Sequence, residues 1–246
     1  DGKHVGTYPA GEVTLDEIIK LMVGREIKGT YFAGESAQEL CRHPVIFEVR
    51  DISRSDGRCR DVSFQLHEGE ILGMAGLVGA GRTETMEAIF GAVPKSAGQV
   101  FLRGKELHIQ NPYSAIRQGI GMLTENRREQ GFARNFSCKQ NISLVPYIKE
   151  STAGGLGGLL DNRKEQAWAQ EQVDRLSVKC TSPEQMTADL SGGNQQKVIL
   201  GKWLAAESEV LIFDEPTKGI DVGSKSEIYM LMRNLAKQGK GVIMVS

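Results

Sequence analysis

The chain has 246 residues, 30 lysines and arginines against 31 acidic residues, and a formal net charge of −1, so no global basic field points to nucleic acid. Its 40% apolar share fits a globular protein with one main core, and no apolar run approaches the roughly 20 residues that cross a bilayer. Cys41, Cys59, Cys138 and Cys180 form no CxxC pair and His4, His43, His67 and His108 do not cluster, which argues against a disulfide framework or a His/Cys metal centre and for a reducing compartment.

Residues 1–44 read differently from the rest. Asp1-Gly2-Lys3-His4 lacks an initiator Met and the pattern of a signal peptide, and the other end stops in an apolar strand, Gly241–Val245, so both ends read as cut from a longer chain. Thr14 is a candidate N-cap for a helix over Leu15–Val23, with Asp16 and Glu17 in the first turn and Leu15, Ile18, Ile19 and Met22 at helical spacing. Gly24 stops it, and Gly29–Pro44 has no sustained period.

The main domain starts near Val45. Val45–Val49 reads as a strand, and Val62, Phe64 and Leu66 alternate with polar residues as in a half-buried strand. Ile71–Ala75 is an apolar strand that feeds a glycine loop, Gly76–Gly81, and a helix, Arg82–Phe90. Val100–Leu102 is a short strand, Asn111-Pro112 opens a helix with Asn as cap and Pro in the first position, and Ile120–Leu123 is a further strand. From about Thr124 to Ala188 the character changes: a charged run at Glu125–Glu129, a glycine-rich piece at Ala153–Gly158 and a polar amphipathic helix at Asn162–Leu176 predict a mostly helical insertion. A helix Asn194–Ala205, an apolar strand Val210–Phe213, a helix Val222–Lys237 and the last strand follow. Strands alternating with helices predict a largely parallel sheet, hence an α/β fold.

Three segments carry chemistry. Gly76, Leu77, Val78, Gly79, Ala80, Gly81, Arg82 and Thr83 match the phosphate loop GxxxxGK[ST] except at the lysine, where Arg82 stands. The glycines let amides turn inward around a phosphate chain, the following helix N-terminus adds partial positive charge, and Thr83 holds the hydroxyl position that binds Mg²⁺. Arg82 keeps the charge but not the point-like geometry of an ammonium, and Glu84 in the first turn can compete with phosphate for the same amides. Val210-Leu-Ile-Phe-Asp214-Glu215 is an apolar strand ending in two acids: Asp214 suits Mg²⁺ binding through water and Glu215 suits polarisation of an attacking water. Ser191, Gly192, Gly193, Asn194 and Gln195 open a helix, with Ser191 as cap and two glycines that expose amides at its positive end.

Leu190-Ser-Gly-Gly-Asn-Gln-Gln196 resembles the signature motif of ATP-binding cassette (ABC) ATPases. Together with Gly69–Gly73, Gly76–Glu84 and Asp214–Gly223, it resembles the second cassette of the tandem ATPases of ribose- and galactose-type sugar importers. The resemblance covers nearly the whole chain. It implies an ABC-type P-loop ATPase core, a largely parallel sheet with flanking helices and an N-terminal antiparallel β portion, over residues 45–246. A helical subdomain spans about 125–188, residues 1–44 correspond to the tail of a preceding cassette and a linker, and the C-terminus is truncated. It implies ATP and Mg²⁺ as ligands, the signature turn acting in trans on the ATP of a partner cassette, and Asp221 in the D-loop between paired cassettes. It also implies an integral membrane permease docked on the helical subdomain, a periplasmic sugar-binding protein as an indirect partner, no nucleic acid, and a place on the cytoplasmic face of the cell membrane. In that subgroup Arg and Glu at positions like 82 and 84 are usual. Three departures from the general pattern stand out: Arg82, Glu125 at the Q-loop glutamine position, and no adenine-stacking aromatic between Asp51 and Asp61. They imply a nucleotide site of its own that hydrolyses poorly. The alternatives are an ABC-type DNA-repair or chromosome ATPase and a regulatory nucleotide-binding module. The short interval before Ser191, without heptads or CxxC, disfavours the first.

Overall fold

A computed structural model describes residues 4–9, 11–14, 17–18, 21, 37–150 and 161–246. The predicted first helix is described only at Glu17, Ile18 and Leu21, which are helical. Thr14 does cap it: Glu17 N donates to Thr14 Oγ1 (3.3 Å) and Thr14 N donates back to Glu17 Oε2 (2.8 Å), a reciprocal capping box. The glycine-rich piece Ala153–Gly158 and most of the linker lie outside the described residues.

Two sheets form the body. The antiparallel one has the order β2-β1-β4-β5, from β1 (Val45–Arg54), β2 (Val62–His67), β4 (Lys95–Leu102) and β5 (Lys105–Leu107). The parallel one has the order β3-β8-β7-β6, from β3 (Ile71–Met74), β6 (Ile120–Leu123), β7 (Val210–Asp214) and β8 (Gly241–Val245). β1 and β4 are longer than their apolar cores predict. A register irregularity between Val49 and Ile52 carries the strand pair past Asp51, whose φ is +51°. Lys105–Leu107, unmarked by any apolar run, is held as a strand by pairing with β4.

β7 is buried at all five positions, as a central parallel strand must be, which is why its sequence is a run and not an alternation. Its register places the chemistry. Val245 of β8 lies level with Met74 of β3 on one side and Asp214 of β7 on the other. The glycine loop that leaves β3 and the acids that end β7 therefore open on the same sheet edge, two strand spacings apart, or about 10 Å. That edge, beyond the carboxyl ends of parallel strands, is where open α/β sheets hold ligands.

A short helix α1 (Ala37–Leu40) precedes β1, and α2 (Arg82–Phe90) follows β3, its bounds those predicted. In α3 (Pro112–Arg117) Asn111 Oδ1 accepts from Ser114 N at 2.9 Å, the cap read from Asn-Pro. The region after β6 is helical as predicted, with a π-type turn at Arg127–Gly131, α4 (Cys138–Glu150) and α5 (Asn162–Arg175). With α6 (Gly192–Ala205), these helices close a second small core around Cys138, Ile142, Ala169, Val173 and Val198. α7 (Val222–Lys237) leads into β8. No helix among the described residues is long and apolar enough to cross a membrane.

Candidate nucleotide site

The loop between β3 and α2 has the form the sequence predicts. Gly79 and Gly81 have φ of +84° and +80°, open to glycine without strain. Gly81 also has no room for a side chain, because a Cβ there would run into the backbone carbonyl of Arg58. The turn between β1 and β2 thus walls the loop. In that wall, where no aromatic exists, Arg58 stands 66% exposed, with Nη1 4.0 Å from Glu84 Oε1. Leu77 and Val78 at the loop tip are exposed.

Arg82 folds back past Gly76, its Cδ 3.6 Å from where a Cβ on that glycine would lie. Its Nη2 donates to Leu77 O of the loop at 3.4 Å and its Nη1 to Ser246 O, just past β8. Glu84 makes no cap bond to the α2 amides, and its own backbone carbonyl accepts from the buried Arg54 at 3.3 Å.

Thr83 and Asp214, 131 residues apart in sequence, meet: Thr83 Oγ1 donates to Asp214 Oδ1 at 3.1 Å. Asp214 is 1% exposed, and its Oδ2 is buried with no hydrogen-bond partner. Burial first, and then the neighbouring Glu125, Glu215 and Glu87 charges, push the carboxyl up to about 6, while the Thr83 bond works the other way. A buried, half-partnered carboxylate beside a hydroxyl at the mouth of a glycine loop is a donor set that fits a hard divalent cation. Glu215, next along, has φ of +45°, a left-handed conformation unusual for a non-glycine residue. It is held there by two backbone bonds, Glu215 N to Val245 O (3.0 Å) and Lys218 N to Glu215 O (3.1 Å).

The helix N-terminus at Ser191 corrects one reading. Ser191 occupies the N-cap position with extended backbone, but its side chain accepts no bond from the first turn. It accepts instead from Asn194 Nδ2 at 2.9 Å. The first amides of α6, which have no acceptor inside a helix, are therefore not served by Ser191. Gln195 is buried and Asn194 is half-buried. Asn194 Oδ1 accepts from Lys179 N (2.8 Å), and Gln195 Nε2 donates to Ala188 O (3.2 Å) and Leu190 O (3.0 Å). The motif's polar side chains thus brace the turn.

Both glycines are required by packing as well. A Cβ on Gly192 would lie 2.5 Å from Arg127 Nη2, and one on Gly193 would lie 2.5 Å from Ser224 Oγ. Ser224 Oγ in turn donates to Asp221 Oδ2 (2.7 Å), and Ser224 N to Asp221 Oδ1 (2.9 Å), so Asp221 is the N-cap of α7. These two bonds pull its carboxyl below the ordinary range. Glu125 is ion-paired with Lys218, on the loop that follows Glu215. Sequence reasoning missed Arg127, Lys218 and Ser224, which share no motif with what they touch.

The ABC transporter family model matches residues 59–218. The chain is 44% identical, over all of its length, to the D-allose import ATP-binding protein AlsA of Escherichia coli and to the ribose import ATP-binding protein RbsA of Bacillus cereus. It is 43% identical to the galactose/methyl galactoside import ATP-binding protein MglA of Clostridium perfringens. The chain spans about half the length of these relatives: 48%, 48% and 46%. Among solved structures it is similar to a nucleotide-free ATP-binding cassette from an ABC transporter (TM-score 0.69, 17% identity, covering 82% of this chain and 81% of that one). It is also similar to the cassette MJ0796 in a dimeric post-hydrolysis state bound to ADP and Pi (TM-score 0.66, 17% identity, 82% and 88%). At such identities the structural likeness speaks for the fold.

Proposed function

The chain belongs to the ABC transporter family, and from that premise we propose that it is the second cassette of a tandem ATPase that couples ATP binding and hydrolysis to uptake of a simple sugar. It works at the cytoplasmic face of the cell membrane, with a permease that receives the motion and a periplasmic binding protein that delivers the sugar. Relatives that import allose, ribose and galactose support the substrate class.

In its own site Gly76–Gly81 cradle the phosphates with backbone amides, Thr83 and Asp214 hold Mg²⁺, and Glu215 orients the attacking water. Mg²⁺, when bound with the nucleotide, neutralises charge between the outer phosphates. This site turns over slowly. Arg82 engages the loop backbone, and its planar fork cannot take the place of a lysine ammonium between two phosphates. The signature turn acts in trans: the α6 N-terminus, with Gly192 and Gly193, faces the terminal phosphate held by the partner cassette.

The observation that carries this asymmetry is the contrast between the two helix ends. The first amides of α2 and α6 are both free of side-chain caps, but at α2 the Arg82 guanidinium is bonded back onto Leu77 O of the loop, whereas the signature turn Ser191–Gln195 holds no cation of its own. The test is ATP turnover of the tandem protein reconstituted with its permease. Gly193→Asp places a carboxylate at the positive end of α6 and is expected to abolish transport-coupled hydrolysis, with the unfolding temperature measured alongside because its Cβ also meets Ser224 Oγ. Normal turnover in that variant refutes the trans reading.

A further inference from the structure

Three segments far apart in sequence converge on one side chain. Arg127 opens the π-type turn after β6, Gly192 opens α6, and Lys218–Gly219 lie in the loop after Glu215. Arg127 Nη1 donates to Lys218 O and Nη2 to Gly219 O, both at 3.2 Å. The same Nη2 fills the space a Cβ would need on Gly192. Arg127 Nε is buried without a partner, and burial lowers the guanidinium's affinity for its proton, so the side chain occupies this place at a cost.

The turn that carries Arg127 is fixed to α6 at its other end as well. Lys202, buried in α6, donates to Gly131 O, and a Cβ on Gly131 would lie 2.6 Å from Ile199 Cδ1. Residues 127–131 are therefore packed on α6 at both ends of the turn. At the Lys218–Gly219 end, the loop between Glu215 and Asp221 is joined to this unit by the two Arg127 bonds, beside the Glu125–Lys218 ion pair, and at its Asp221 end α6 meets it through Gly193.

We propose that Arg127 is the positioning residue that sets the signature turn against the loop joining Glu215 to Asp221. The helical body and the acid-bearing strand are then read together when a phosphate reaches the turn. Its consequence for catalysis rests on the trans reading given above; the clamp itself rests on the contacts alone. The two-carbonyl geometry needs a planar fork, and a lysine ammonium does not reproduce it.

The test is amide hydrogen exchange on the chain with Arg127→Ala and Arg127→Lys. The reporters are the amides of Lys218, bonded to Glu215 O, and of Ser224, bonded to Asp221 Oδ1, with Leu211–Phe213 of β7 as controls. Both variants are expected to speed exchange at Lys218 and Ser224 by about tenfold and leave β7 unchanged. Gly192→Ala, alone and combined with Arg127→Ala, provides a cycle: its drop in unfolding temperature is expected to shrink once the guanidinium is gone. Unchanged exchange, or an equal drop in both backgrounds, overturns the clamp. In the tandem protein Arg127→Ala is expected to lower kcat at least about tenfold with KM for ATP changed less than twofold. A tandem protein without ATP turnover would instead refute the functional reading, and the exchange result would still decide the clamp.

Discussion

Replacing Asp214 by Asn separates what this carboxylate costs the fold from what it does for the site. Asp214 is 1% exposed and its pKa stands at about 6 against an ordinary 3.8. Between those values the folded chain binds a proton that the unfolded chain has shed, so the group's contribution to stability is fully present below pH 3.8 and is lost as pH rises through 6. Above that range the ionised carboxylate destabilises the fold by about 3 kcal/mol. Asn carries no charge to bury. Its amide leaves a donor near the unpartnered Oδ2 position, a fixed cost of about 1–3 kcal/mol at any pH. The stability of Asp214→Asn relative to the unchanged chain should therefore climb by about 2 kcal/mol between about pH 4 and pH 7. Urea unfolding of both chains across that range measures it. A difference that stays flat with pH refutes the buried-charge account. The gain in fold should be a loss in site: Mg²⁺ with ATP should raise the unfolding temperature of the unchanged chain, by the usual binding linkage, and leave the Asn variant where it was.

Arg82→Lys should tighten binding of Mg-ATP to this chain by about tenfold, read by nucleotide titration, because an ammonium replaces a fork bonded to Leu77 O. Gly81→Ala should destabilise the chain by about 2–4 kcal/mol in urea unfolding, combining a left-handed φ of +80° with a collision against the Arg58 carbonyl. Lys202, its pKa lowered to about 8 from 10.5 by burial, sheds its proton earlier in the folded chain, so stability should rise with pH through that window. Lys202→Met should flatten that slope, which thermal unfolding on either side of pH 8 detects.

The parts of the site that lie within one segment were legible in the sequence. Val210–Phe213 is an unbroken apolar run because β7 is covered on both faces, and that run puts Asp214 at its end. Gly76–Thr83 announces its turn through residue types that tolerate left-handed backbone. Strand ends set by partners were not legible: β5 exists because β4 pairs with it, and β1 extends through an irregularity no pattern marks. Nor was the inward turn of Gln195, since an amide in a motif looks the same whether it faces a ligand or Leu190 O. The contacts of Gly192 with Arg127 and of Gly193 with Ser224 depend on how helices pack, which spacing does not encode.

Val245 of β8 is the rung from which both Met74 and Asp214 hang. Strand Gly241–Val245 therefore works as a gauge: it fixes the height of the glycine loop relative to the acids. A single residue inserted or deleted within it would shift its register against both neighbours at once by one strand step, about 3.3 Å, and turn its buried side chains to the opposite faces. The tolerance of the nucleotide site to change is set as much by the length of this plain apolar strand as by any residue that touches phosphate.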